Sequence, residues 1–168
     1  QTPPTMNAFY HMGDQITSRT DTWPRAAMIA PNNVPVLLLT QHTSRDICVC
    51  QVTIRDVKVI VLSVYFAPDG KITDQISSLE AVLSKIQSKC VLVCGDFNGH
   101  HRAWGSDQTK PRGESVYDFV ARNPLGFFLL NRGEEDTFYA IRGVEKKSKV
   151  DLTMISLQLM NYNWTWEV

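Results

Sequence analysis

The run Val57 to Phe66 sets Val59, Val61 and Ser63 on one side of an extended chain and Ile60, Leu62 and Val64 on the other. A strand built from it is apolar on both faces, so it is predicted to lie centrally in a sheet and to be covered on both sides. The equally β-branched run Ile47 to Ile54 precedes it, separated only by Arg55-Asp56, and the two read as a hairpin. The central run ends in a polar-tipped turn, Tyr65-Phe66-Ala67-Pro68-Asp69-Gly70.

Around this pair the pattern switches repeatedly. Ala26 to Ala30 is a short apolar run closed by the turn signal Pro31-Asn32-Asn33, and Val36 to Leu39 is a second run of strand length. From Thr73 to Gln87 the spacing is helical: Ile72, Ile76, Leu79, Val82, Leu83 and Ile86 form one stripe, with Thr73 or Asp74 as the expected N-cap. Cys90 to Cys94 is a further strand. Gly99 to Arg112 reads as a long polar loop and Glu114 to Arg122 as a short helix with Val116, Phe119 and Val120 inward. Strands are predicted at Phe127 to Leu130, Thr137 to Ala140, Lys149 to Ser156 and Asn163 to Val168. About eight strands and two helices, joined by hairpins and crossovers, point to sheets sandwiched between helical layers. Gln1 to Asp21, rich in Pro, Thr, Gly and polar residues, is expected to be a loop or extended lead-in segment.

At 168 residues the chain is the size of one domain. Its 17 basic and 17 acidic side chains cancel, so any grip on nucleic acid would need a local patch, for which Arg19, Arg25, Arg45, Arg102, Lys110 and Arg112 are the candidates. No apolar run approaches bilayer length and no signal peptide is visible, so no membrane partner is expected. Cys48, Cys50, Cys90 and Cys94 lack further ligands at zinc spacing and read as reduced thiols on strands, favouring a reducing compartment.

The chemistry concentrates where the strand Cys90 to Cys94 stops at Gly95 and presents Asp96 and Asn98. An aspartate at a rigid strand end can ligate a hard cation or accept a proton from water, and a neighbouring amide can hold a phosphate oxygen. An Asx turn closing the strand explains the two residues equally well. Asp151 is a second carboxylate, with a structural pairing to Lys149 as its plainer reading, and Tyr65 is a polar group on another strand end or else a half-buried core tyrosine. His100 and His101 sit in a loop, where adjacent histidines rarely converge on one metal. Taken as a set with Thr137, these groups lack a Ser or Cys nucleophile and a glycine-rich phosphate loop. Metal-assisted attack of water on phosphorus is the chemistry that fits.

Gly95-Asp96-Phe97-Asn98 resembles the signature of the exonuclease–endonuclease–phosphatase superfamily, which includes the apurinic/apyrimidinic endonucleases and deoxyribonuclease I. The longer run to Trp104-Gly105-Ser106 is more similar to endonuclease domains of insect non-LTR (LINE-type) retrotransposons. Ser63-Val64-Tyr65-Phe66-Ala67-Pro68, Arg112-Gly113-Glu114, Asp136-Thr137-Phe138 and Val150-Asp151-Leu152-Thr153 match that group in order, over about Arg25 to Val168. The resemblance implies an α/β fold, a four-layer sandwich of two mixed β-sheets flanked by helices in a single domain. It implies an endonuclease that nicks double-stranded target DNA with Mg²⁺, or alternatively Mn²⁺, in the nucleus, to prime a reverse transcriptase carried in the same polyprotein. Asp96 would align or deprotonate the water, Asn98 would contact the phosphate and orient Asp96, Tyr65 would contact the phosphate or leaving oxygen, and Asp151 would hold the catalytic histidine. Thr137, His100, Arg102 and Trp104 would be substrate contacts. The alternatives are an abasic-site repair nuclease or phosphatase of the same superfamily, and a catalytically dead DNA-binding fragment.

The sequence departs from that pattern at both ends. The family's N-terminal Asn strand, the Gln-Glu strand that supplies its metal glutamate, and its C-terminal Ser-Asp-His find no match among residues 1–168. None of His11, His42, His100 and His101 stands in the histidine's place. The metal ligand is therefore expected outside this stretch, the domain is expected to be truncated, and the chain as written is expected to be inactive.

Overall fold

In the computed structural model, residues 23–30, 34–132, 135–142 and 144–167 are described. The strands are β1 (Val36–Leu38), β2 (Ile47–Ile54), β3 (Val57–Tyr65), β4 (Val91–Asp96), β5 (Phe128–Leu129), β6 (Phe138–Arg142), β7 (Val144–Ser148) and β8 (Asp151–Ile155); the helices are α1 (Ile72–Leu83) and α2 (Pro111–Arg122). Six strands form one mixed sheet in the order β1-β2-β3-β4-β8-β5, and β6 and β7 pair as a second, small sheet. Among the described strands only β3 and β4 pair in parallel, with α1 as the crossover that such pairing requires. The architecture is thus a single mixed α/β domain, as expected, with β3 and β4 at its centre.

The hairpin forms because Arg55 and Asp56 both take positive φ (47° and 67°), the pair of left-handed residues that a two-residue turn needs to match strand twist. Its register, Ile47↔Val64 through Ile54↔Val57, fixes which side chains share a face. On one face Val49, Leu62, Val93 and Met154 stand in a row, continued by Ile60, Val64, Val91 and Leu152. There Leu79 and Leu83 of α1 and Val116, Phe119 and Val120 of α2 close the main core, with Phe66, Phe97 and Trp104. Each such fully buried side chain contributes about 1.5–3 kcal/mol. The opposite face carries smaller clusters, around Cys48, Cys50 and Val52 and around Val59, Ile155 and Leu159. β3 is therefore covered on both sides. Across this second face, Tyr65, Asp96 and Asp151 stand level.

Several expectations need correcting. Helix α1 starts at Ile72 after Lys71, with no side-chain cap; Thr73 instead donates to Asp74 and neither residue is the N-cap. Helix α2 begins three residues earlier than the pattern suggested, at Pro111, whose fixed φ suits the first helical position. Strand β7 went unpredicted because Val-Glu-Lys-Lys-Ser has no apolar alternation; its ladder with β6 makes it a strand. The short apolar run Ala26 to Ala30 is irregular, as its unassigned reading allowed, with the backbone N–H groups of Arg25 and Ala26 donating to the Arg45 carbonyl. Residues 163–167 are irregular, not extended: Trp164 donates its indole N–H to the Leu159 carbonyl (2.7 Å) and packs beside Val59 and Ile155. Val168, the predicted lead-in segment and the turn at Pro31 to Asn33 lie outside the described residues. The four cysteines are free thiols, and burial pushes the Cys94 thiol up to about 11. No described helix is long and apolar enough to cross a membrane.

Candidate active site

Because β3 and β4 are parallel and β8 is antiparallel to β4, the carboxyl ends of two strands and the amino end of a third meet at one edge. Tyr65 pairs with Asp96, and Asp96 pairs with Asp151. With strands about 4.8 Å apart, the tyrosine and the second aspartate flank Asp96. The order along the chain thus becomes a row in space.

Asp96 is held rigidly. Its Oδ1 accepts the Asn98 N–H at 2.7 Å, while Asn98, at φ 47°, turns its amide back to donate to the Phe66 carbonyl (3.0 Å). The Phe66 N–H donates to the Asp96 carbonyl (2.7 Å) and the Phe97 N–H to that of Val150 (3.0 Å). Phe97 between them is fully buried, edge-on to Phe66 at 4.9 Å. The Asx turn and the functional arrangement are thus the same structure. Gly95 makes it attainable: at φ +139°, a Cβ there would fall 2.0 Å from the Val64 carbonyl oxygen.

Burial pushes the Asp96 carboxyl above the ordinary carboxylate range. The Asn98 backbone N–H pulls it back, the Asp151 carboxylate pushes it further up, and the Asn98 side chain and Arg112 lower it. A proton acceptor raised by its surroundings is what general-base chemistry near neutral pH asks for.

The supporting residues include three that sequence reasoning did not single out for this role. Arg112, in the first turn of α2, donates to the carbonyls of Phe97 (3.2 Å), Gly70 (3.0 Å) and Ala67 (2.8 Å) and to the Gln75 side chain. It thereby ties the ends of β3 and β4 to both helices. Asn131 accepts from the Thr153 N–H (2.8 Å) and donates to the Asp151 carbonyl (2.9 Å), extending the ladder at the start of β8. Arg25 forks onto Asp46 and lies 5.0 Å over the Tyr65 ring. The Arg-Gly-Glu motif and the candidate basic patch hinted at Arg112, and the same patch at Arg25, though not at a contact with Tyr65; Asn131 gave no local signal.

Thr137 lies beside the row, not in it: its Oγ1 accepts from the N–H groups of Val150 (3.1 Å) and Asp151 (3.0 Å), so it positions Asp151. His100 rims a polar cavity of about 370 Å³ with Ser106, Lys110, Asp136, Lys147 and Lys149; burial and the Lys110 charge lower its pKa. His101 is a loop support, its Nδ1 accepting from the Ala103 N–H (2.9 Å) and its ring stacked on Tyr117 at 4.5 Å. Trp104 is buried, its indole N–H on the Gly99 carbonyl (3.2 Å); it shapes the loop from beneath and does not face the surface. Arg102 is exposed. Of the candidate cations for a basic patch, Arg25 is paired with Asp46, Arg45 donates to the Trp23 carbonyl, Arg112 donates to backbone carbonyls, and Arg19 lies outside the described residues.

Among the described residues no three His, Cys, Asp or Glu side chains converge as a metal cage. Asp96 and Asp151 nonetheless form a facing pair of hard oxygen donors, and a divalent cation held there would offset their mutual repulsion. Mg²⁺ is commonly held by one or two carboxylates plus substrate phosphates, so the residues present fit a shared, substrate-completed site.

A family model described as endonuclease-reverse transcriptase matches residues 59–168. The structure is similar to the endonuclease domain of TRAS1, a telomere-specific non-LTR retrotransposon, at 28% identity and a TM-score of 0.71, covering 79% of this chain and 60% of that one. A 3′ phosphatase from Neisseria, bound to a product DNA hairpin, aligns over 77% of this chain and 60% of its own at 16% identity and a TM-score of 0.49. The chain therefore spans about 60% of the length of these solved structures. No curated protein matches it.

Proposed function

The chain belongs to the endonuclease-reverse transcriptase family, and on that premise we propose that it nicks double-stranded target DNA by Mg²⁺-dependent hydrolysis of one phosphodiester, to prime reverse transcription of a non-LTR retrotransposon. The observation that carries the reading is the level row Tyr65, Asp96, Asp151, with Asn98 locked beside it.

In this reading a phosphodiester lies across the strand ends. Asp96 accepts the proton of the attacking water, its raised carboxyl pKa suiting it to that transfer near neutral pH. The Asn98 amide orients Asp96 and meets a phosphate oxygen, and the Tyr65 hydroxyl donates to the phosphate or to the departing oxygen. The water oxygen bonds to phosphorus as the P–O3′ bond breaks, leaving the 3′-hydroxyl that a polymerase requires. Bound Mg²⁺ supplies charge neutralisation on the phosphate. Asp151, seated by Thr137 and Asn131, holds the ring of the catalytic histidine. His100 and Arg102 flank the duplex, and Trp104 holds their loop in shape. Because the substrate is chromosomal DNA, the protein works in the nucleus, with its reverse transcriptase in the same polyprotein.

The product end tests this. Supercoiled plasmid incubated with the full-length protein and Mg²⁺ is expected to become open circles that a DNA polymerase extends without end repair. Nicks that need phosphatase treatment before extension would contradict the proposed bond cleavage.

A further inference from the structure

Tyr65 ends β3 half-buried, and among the described residues its hydroxyl has no hydrogen-bond partner. A tyrosine in that position can swing about its side-chain torsions unless something packs against the ring. The ring packs against the cluster of Ala26, Cys48, Cys50 and Val52, and one charged residue from far away in sequence also lies over it. The Arg25 guanidinium carbon lies 5.0 Å from the ring centroid, within the range of a cation–π contact.

Arg25 is itself fixed. Its Nε and Nη2 donate to the two oxygens of Asp46 at 2.6 and 2.7 Å, a bidentate fork, and its backbone N–H donates to the Arg45 carbonyl at 2.7 Å. The Asp46 carbonyl in turn accepts the Tyr65 N–H at 2.9 Å. Asp46 is thus bonded at both ends, by its carboxylate to the cation above the ring and by its backbone to the residue that carries the ring. The closed circuit Arg25–Asp46–Tyr65 holds both the backbone and the ring face of one residue. Asp46 is the main reason the Arg25 pKa is raised, with Tyr65 and Asp69 contributing, so the cation keeps its charge.

We propose that Arg25, oriented by Asp46, is a positioning residue for Tyr65: it pins the ring so that the hydroxyl points at the scissile phosphate. This rests on the nicking role proposed for Tyr65 and goes beyond it, since Arg25 acts through the tyrosine and does not touch the reacting atoms. The planar fork matters. Lysine offers a compact ammonium that cannot grip both Asp46 oxygens while covering the ring, so Arg25→Lys is not a conservative change here.

A double-mutant cycle on the full-length protein separates this role from a structural one. Single-turnover nicking rates and KM are measured for Arg25→Leu, Asp46→Asn, Tyr65→Phe and the Arg25→Leu/Tyr65→Phe pair, with Arg25→Lys as the gentler variant. Misorientation of a catalytic group is expected to slow Arg25→Leu, Arg25→Lys and Asp46→Asn about tenfold or more with KM held within about twofold. In the Tyr65→Phe background, Arg25→Leu is expected to change the rate by less than about twofold, because the group it positions is already gone. Multiplying effects in the double variant would overturn the inference while leaving the Tyr65 role intact. A raised KM with an unchanged rate would overturn it in favour of a direct DNA contact. A Tyr65→Phe variant as fast as wild type would refute the role of the tyrosine itself, and Arg25 positioning with it.

Discussion

Asp96 and Asp151 stand directly opposite one another across the β4–β8 ladder. Facing residues in an antiparallel pair lie about 5 Å apart, and like charges so placed are destabilising. The fold keeps them there, with burial and Asp151 both pushing the Asp96 carboxyl upward. A cost of this kind, held in place by Asn98, Thr137 and Asn131, is what a site selected for chemistry rather than stability looks like.

That opposition sets a pH dependence. A carboxyl whose folded pKa exceeds its unfolded value binds its proton more tightly in the native state. Native stability is then favoured as pH falls toward the ordinary carboxylate range, about 4, and is lost as pH rises through the raised folded value. Asp96→Asn is expected to remove this slope and to melt higher than wild type at neutral pH, as thermal unfolding across a pH series would read. The acid limb of the kcat/KM profile is expected above the ordinary carboxylate range, and Asp151→Asn is expected to move it to lower pH by removing the second charge.

Arg112 is predicted to be a stability residue first. Arg112→Ala leaves the carbonyls of Phe97 and Gly70 without their donor and takes one of three donors from the Ala67 carbonyl, which keeps the Gly70 N–H and the Gln75 amide. Lost bonds to a charged donor put the cost at about 2–4 kcal/mol, read from the midpoint of urea unfolding.

Thr137→Val keeps the shape and removes the acceptor shared by the Val150 and Asp151 amides. The expected cost is about 1–3 kcal/mol. Hydrogen exchange should speed at those two amides more than in β3, a local signature that general destabilisation would not produce.

Gly113 is where α2 meets the His100 loop, and a Cβ there would stand 1.9 Å from the His100 carbonyl oxygen. That neighbour is backbone and cannot step aside. Gly113→Ala is therefore expected to cost upwards of about 3 kcal/mol, visible as loss of soluble, cooperatively unfolding protein.

The parts of the fold legible in sequence were those with a local physical signature. The two β-branched runs around Arg55-Asp56 announced the central hairpin, and two apolar faces on β3 announced its burial. The stripe through Leu79 and Leu83 announced α1. Boundaries failed where the local signal was weak, as at Lys71, which caps α1 without a side-chain bond, and in β7, whose charged residues have no alternation. The aromatic ending failed for a different reason: Trp164 satisfies its indole on the preceding turn and never joins a ladder. In the candidate site, the residue types were visible but their register was not. Tyr65, Asp96 and Asp151 align only because β3 and β4 are parallel and β8 returns between β4 and β5, a property of the whole sheet. Arg25, Arg112 and Asn131 support that row from distant segments through contacts no short window encodes.

The most direct test of the account is the rate of plasmid nicking by the full-length protein with Asp96 replaced by alanine, in Mg²⁺, after near-UV circular dichroism has established that the variant is folded. Loss of a positioned proton acceptor predicts a fall of at least about a hundredfold with DNA affinity largely kept. Nicking at the wild-type rate by a folded Asp96→Ala protein would contradict the central claim that the strand-end row around Asp96 is the catalytic centre.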